Sequence, residues 1–307
     1  MRFMANPVLT RELRGRIRGN RALILLIIYL TITGAVTLLV YAAAASAFSG
    51  GVNDPEAGRG IGKAIFLTVM TATLIQVCVI TPSLTSGTIS GEKERQSYDL
   101  LITTLLSPFE IALGKLTAAL AFALLLIIAA LPMAGLSFLF GGVSGTELII
   151  GIAGLIATAV CYATIGLLWS TVMRTTLAAT VMALGTVLFI LLAIPFLFVV
   201  GSLITNSFNG LPGVIYVYTM GLLLSAHPFI ALGITSATLT SGESPFFFEV
   251  PTNNGEVPVP SPWLVYLAIT TILTVIFLIL SVRMIRPVNS EMQGRRRRKG
   301  KPVEAEG

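Results

Sequence analysis

The sequence predicts an all-α polytopic membrane protein of six transmembrane helices, and three observations carry that expectation. The 307 residues are 55% hydrophobic and only 11% charged, where a soluble domain carries about 25% charged residues. The mean hydropathy is +0.89. Six apolar runs without Asp, Glu, Lys or Arg are each long enough for the roughly 20 residues that cross about 30 Å of hydrocarbon: 22–45, 64–84, 116–140, 148–173, 177–204 and 262–282. The positive charges sort by side. With both termini in the cytoplasm, 18 of the 20 Lys and Arg residues fall inside and only Arg59 and Lys63 outside.

The elements follow in order. Before the first run, residues 5–21 form an amphipathic helix lying in the membrane interface. Leu9, Leu13 and Ile17 recur on one stripe, with Arg11, Arg14, Arg18 and Arg21 on the opposite one toward lipid phosphates. The first run exceeds the 7–15 apolar residues of a signal peptide and reads as an uncleaved anchor. Runs two, three and five contain Pro82, Pro132 and Pro195, which should kink them. Residues 85–115 form a cytoplasmic connector. Within it Tyr98, Leu101, Ile102 and Leu105 make one apolar helical face, and Arg95 and Asp99 are spaced to pair. Ser107-Pro108-Phe109-Glu110 is a capping box that starts the third spanning helix, and Ser144-Gly145-Thr146-Glu147 does the same for the fourth. Gly151, Ala153, Gly154 and Ala157 would let the fourth helix approach a neighbour closely.

Residues 205–261 form an outer loop. Its apolar part, 211–239, is broken by Pro212, Gly213, Gly221, His227, Pro228 and Gly233. A seventh span there would put the Arg295–Lys301 cluster outside, so the segment reads as re-entrant or interfacial helix. Residues 241–261, rich in proline, read as a flexible loop. Trp169 falls near the inner end of span four, and Trp263 and Tyr266 fit as interface anchors at the outer end of span six. The basic tail, 283–307, belongs beside anionic lipid. The charge of +6 is therefore a topology feature and no nucleic-acid footprint.

Composition also bears on what such a chain does. Ion-coupled transporters place ionisable groups inside the bilayer, and none of the six runs holds Asp, Glu, Lys, Arg or His. Gln76 and Thr71, Thr73, Thr158, Thr164 and Thr186 supply their polar content, which suits bonds between helices. Residues 58–64 only glance at a phosphate-binding loop, with Ala64 where Ser or Thr belongs. Two cysteines inside apolar runs and a single His227 leave little for metal or acid–base chemistry. Driving energy would come from a separate ATPase. An intramembrane enzyme would need paired acids and histidines around one cavity; a non-transporting scaffold would use the same cytoplasmic connector.

The stretch from Glu92 to Lys115, EKERQSYDLLITTLLSPFEIALGK, resembles the first cytoplasmic loop of type-2 ATP-binding-cassette (ABC) permeases, and Asn6-Pro-Val-Leu-Thr-Arg-Glu-Leu-Arg is similar to the family's amphipathic first helix. Gln96-Ser97-Tyr98 stands where that family has Gly-Thr-Leu or similar. The resemblance implies a permease subunit of an exporter in the plasma membrane, with no cofactor of its own. ATP would be bound by a cytoplasmic ATPase subunit, and a second permease copy, identical or not, would complete the pathway. The connector would hold a coupling helix docked on the ATPase through Glu92, Lys93, Glu94, Arg95 and Asp99, and 211–239 would form part of an outer gate.

Overall fold

A computed structural model describes residues 20–47, 55–98, 107–205 and 213–285. In chain order these form α1 (Asn20–Ala47), α2 (Pro55–Glu94), α3 (Pro108–Leu139), α4 (Gly145–Val172), α5 (Thr176–Ile204), α6 (Val214–Ser225), α7 (Pro228–Thr240), β1 (Phe247–Thr252), β2 (Gly255–Pro260) and α8 (Pro262–Met284). Six of the helices, α1 to α5 and α8, are long and apolar enough to cross a membrane. The protein is a polytopic all-α membrane protein.

The longest helix organises the rest. At 1.5 Å per residue, the 40 residues of α2 reach about 60 Å, twice the hydrocarbon thickness. The first ten residues of the 85–115 connector are thus the end of α2, and its last eight open α3. Ile61, Ile65, Val69, Thr73 and Val77 form a buried stripe on α2 at the four-residue spacing of one helix face, and burial continues through Thr81, Thr85 and Ile89. α2 and α4 are each half buried in their apolar windows, against 17% for α1, α5 and α8. They form the axis of the bundle. α2 and α3 run unbroken through Pro82 and Pro132, and α5 through Pro195.

Lipid tails are as apolar as leucine, so helices here are held by close packing and hydrogen bonds instead of hydrophobic exclusion. The tightest crossing of α2 and α4 is at Gly166, where a Cβ would meet the Pro82 carbonyl and the Thr85 hydroxyl. Gly151 makes ordinary contact with Phe66 and Met70, while Gly154 has nothing within 4 Å. The small-residue patch expected at 151–157 is therefore not where the helices come closest. One turn beyond Gly166, the Ser170 hydroxyl accepts from the backbone N–H groups of Ile89 (2.8 Å) and Ser90 (2.9 Å). Three of the span threonines also join helices. Thr73 bonds Tyr29 of α1 at 2.9 Å, Thr158 bonds Tyr266 of α8 at 2.6 Å, and Thr186 of α5 accepts from Trp169 at 2.9 Å.

Two sequence expectations are corrected at the other end. Residues 247–260 are a β-hairpin, not a flexible loop, with Phe247 paired to Pro260 and Thr252 to Gly255. β-branched and aromatic residues alternate there with prolines on a two-stranded ladder that has only edges, where proline costs least. The Tyr218 hydroxyl donates to the Pro258 carbonyl at 2.9 Å, docking the hairpin on α6. Tyr266 is no interface anchor but is 4% exposed, its hydroxyl bonded inside the bundle. Trp263 remains at the start of α8 and donates to the Pro245 carbonyl at 2.6 Å. The segment expected to be re-entrant consists of α6 and α7, bent by 116°. Each, at 12 and 13 residues, spans about 20 Å, too short to cross alone. His227 makes the corner: it caps α7 by accepting from Ile230 N–H at 3.3 Å, and its other ring nitrogen bonds the Leu191 carbonyl at 3.2 Å.

Candidate functional site

The sequence singled out the segment that proves to be the tip of α2. Its end is a Schellman motif: Ser97 N–H bonds the Glu92 carbonyl (3.0 Å) and Gln96 N–H the Lys93 carbonyl (3.2 Å). That geometry needs a left-handed residue after the helix, and Gln96 supplies it at φ 61°, where glycine is usual. The chain is thus turned sharply at Gln96, presenting Glu94, Arg95 and Gln96 as exposed residues at the apex.

Three of the four described candidates hold the apex to other helices. Lys93 donates to the Thr171 carbonyl and, at 3.3 Å, to the Met173 carbonyl at the end of α4, with its ammonium 5.6 Å from the Tyr98 ring centre. Glu94 accepts from Thr176 N–H (3.1 Å) and the Thr176 hydroxyl (2.8 Å) in the first turn of α5. A cation thus sits on the negative end of one helix dipole and an anion on the positive end of the next. Adjacent residues of opposite charge clamp the α4–α5 corner from both sides. Glu92 accepts from the Ser97 hydroxyl and stands 3.7 Å from Lys115 of α3, whose side chain is 2% exposed. Arg95 is exposed beside a polar cleft of about 530 Å³ that Gly91, Glu92, Lys115 and Thr176 also line.

Asp99 lies outside the described residues, as do Arg11, Arg14 and Arg18; of Arg21 only the backbone, in the first turn of α1, is described. Lys115 and Thr176 were missed as members of this cluster. Nothing in sequence brings Thr176, 82 residues on, to Glu94, although a Lys-Glu pair at a helix end is a dipole signal.

The opposite end carries a second cluster that sequence reasoning divided wrongly. The α3 capping box is complete: Ser107 N–H donates to Glu110 at 2.8 Å and Glu110 N–H to the Ser107 hydroxyl at 3.3 Å. At α4 only half forms. Ser144 accepts from Glu147 N–H at 3.2 Å, but the Glu147 carboxylate turns away to meet Lys63 of α2 at 2.5 Å and the Ser236 hydroxyl of α7 at 2.5 Å. Lys63 donates also to the Ser236 carbonyl at 2.9 Å. The partly buried Lys63 attracts the carboxylate more strongly than an N-cap amide, since buried Glu147 would otherwise be left without a counter-charge. Among the described residues no group of three or more His, Cys, Asp or Glu could hold a metal.

No curated protein matches this chain. A helical bundle of this order, with an ordered charged apex between its second and third spanning helices, agrees with the family comparison: residues 7–286 match the ABC-2 family transporter proteins, and the chain belongs to that family as the membrane permease of an ABC transporter.

Proposed function

We propose that the chain couples ATP hydrolysis by a separate cytoplasmic ATPase to export across the plasma membrane, the apex of α2 being the part the ATPase pushes. One observation carries this reading: Glu92, Lys93 and Glu94 fasten the apex to α3, α4 and α5, while Arg95 is left outward beside a polar cleft. A force on the apex therefore reaches three spanning helices without relying on loop stiffness. Arg95, with Asp99, is the residue we assign to the partner. Glu92, Lys93 and Glu94 keep the docking role expected of them through the surface they hold in place. The apex end faces the cytoplasm because the basic segments gather there, and both termini lie on that side. Export, and assembly with a second permease copy, rest on the family resemblance. The interfacial Arg11, Arg14, Arg18 and Arg21 anchor the start of the chain to lipid.

The test is reconstitution of the chain with its cognate ATPase in proteoliposomes. Arg95→Glu should lower permease-stimulated ATP turnover at least several-fold with the complex still formed. Glu94→Lys should also uncouple it by releasing α5. Full stimulation by both variants would remove the apex from the coupling path.

A further inference from the structure

A proline inside a helix has no N–H to give the carbonyl four residues before it. Pro195 stands inside α5, so the open carbonyl is that of Leu191, near the middle of a helix long enough to cross the membrane. Lipid tails offer no donor there, and a neighbouring element has to supply one. His227 does so: its Nε2 lies 3.2 Å from the Leu191 carbonyl oxygen. The carbonyls of Cys78 and Ile128, opened in the same way by Pro82 and Pro132, receive no side-chain donor among the described residues. The other ring nitrogen, Nδ1, accepts from Ile230 N–H at 3.3 Å. A carbonyl only accepts and an N–H only donates, so the two bonds fix a neutral ring with its hydrogen on Nε2. One side chain, 6% exposed, thus caps α7 and fills the gap in α5.

α5 is short of one ladder bond at Pro195 and bends most readily there. α7 packs chiefly on α2, α4, α6 and α8, which leaves the His227 bond as its main tie to α5. At the start of α5, Thr176 is held by Glu94 of the apex. About 14 Å along α7 from His227, Ser236 donates to Glu147. We infer that His227 is a positioning residue for transport. It makes bending of α5 at Pro195 and displacement of α7 a single movement, and so carries a push on the apex to the Lys63–Glu147 contact. This rests on the permease reading above and extends it to the end of the bundle opposite the apex. Packing alone would let α5 bend and leave α7 in place.

Two measurements separate the bond from its use. In the chain alone, His227→Ser keeps a capping hydroxyl but loses the donor, and should lower the unfolding midpoint in detergent by a few degrees. Pro195→Ala restores the N–H that Leu191 lacks, and in that background the same change should cost markedly less. Equal losses in the two backgrounds would overturn the tie. In the complex with the ATPase, nitroxide labels at Thr146→Cys and Ser241→Cys, both exposed positions, report the distance between α4 and the end of α7. A non-hydrolysable ATP analogue should shift that distance relative to ADP. His227→Ser should abolish the shift, while His227→Gln, which keeps a donor at the Nε2 position and gives up the cap, should retain it. A merely structural role predicts the reverse order, since serine caps a helix well and glutamine does not. A shift retained by His227→Ser, or none in an unaltered complex whose ATP turnover responds to the permease, would overturn the positioning role alone. A complex whose turnover never responds would refute the permease reading while leaving the midpoint result standing.

Discussion

At one end of α2, Lys63 and Glu147 meet at 2.5 Å with side chains 17% and 5% exposed; near the other, Glu92 and Lys115 stand 3.7 Å apart and the Glu92 side chain is 33% exposed. Both clusters join α2 to its neighbours through charge, but in different media. The first is dry: one carboxylate oxygen takes a lysine and a serine hydroxyl at once, tying α2, α4 and α7 at a single point. The second is spread over dipole ends and faces a polar cleft, so its contacts can lengthen one at a time with water replacing them. On the proposed reading, an end driven by an ATPase needs contacts that yield in steps, and an outer end that closed a passage would gain from one that breaks as a unit. The bent pair α6–α7 is tied to that contact through Ser236 of α7.

The largest expected effect tests that contrast directly. Removing one partner of a buried ion pair strands a charge and costs about 3–5 kcal/mol, whereas replacing both by apolar residues costs far less. Lys63→Met or Glu147→Gln alone should lower the thermal unfolding midpoint in detergent sharply, and Lys63→Met with Glu147→Met should recover most of the loss. Glu92→Gln should cost less, because Glu92 is 33% exposed and, at 3.7 Å, gives its buried partner Lys115 a weaker contact to lose. Equal losses at the two ends would erase the distinction between a dry lock and a wet hinge.

Next in size is the contact that lets both ends share one axis. An added methyl in a filled crossing forces a backbone shift worth about 1–3 kcal/mol. Gly166→Ala pushes a methyl against Pro82 and Thr85, whereas Gly154→Ala, on the same helix, meets nothing within 4 Å. Only the first should destabilise the chain, read as a shift in unfolding midpoint. If both are neutral, α2 and α4 do not form a fixed axis, and the two ends are not mechanically joined.

These positions also show what could be read from the chain alone. Spans, their order and the helix starts were legible because length, apolarity and capping chemistry act locally: Ser107 and Glu110 are three residues apart. Lys63 and Glu147 are 84 apart, and the same Ser-x-x-Glu spacing that predicts a cap at Glu147 cannot register a lysine arriving from another helix. Tyr266 was placed at the interface by residue type, but Thr158 offered its hydroxyl a partner inside. The hairpin was hidden by its prolines, which argue against a strand unless the strand is an edge. Of the site, the apex was visible as a charged stretch; Leu101, Ile102 and Leu105 of the apolar face expected there lie outside the described residues. Its clamp on Thr176 was not, because helix dipoles are matched only once α4 and α5 are brought to its side.

A smaller effect sharpens the apex. Gln96 holds φ 61°, in the left-handed region that favours glycine. A left-handed non-glycine residue costs about 1 kcal/mol. Gln96→Gly should stabilise the chain by roughly that amount by removing the Cβ clash, offset in part by glycine's greater freedom when unfolded. If the apex must be stiff to pass force, the same change should leave ATP coupling intact, since the hydrogen bonds of the turn are backbone bonds. Lost coupling together with gained stability would make the strain itself part of the mechanism.

The smallest effect concerns the hairpin, which follows α7 in the chain. In the hairpin, Glu249 pairs with Pro258 and Glu256 with Pro251, so the two carboxyls are diagonal neighbours on one face. A hydrogen bond with Glu256, then that residue's charge, holds the Glu249 carboxyl above the ordinary carboxylate range. A raised acid binds its proton more readily in the folded hairpin than in the unfolded chain. Its contribution is therefore fully present below the unfolded value near 4.5 and is lost as pH rises through the folded one. Hydrogen exchange of the Val250 and Val257 amides should slow, after correction for the intrinsic rate, as pH falls from 7 toward 5, and Glu256→Gln should flatten that dependence. The dry lock at Glu147 should be indifferent to the Glu256→Gln change. A shift there would mean that the hairpin and the lock open together, and that this end yields in steps after all.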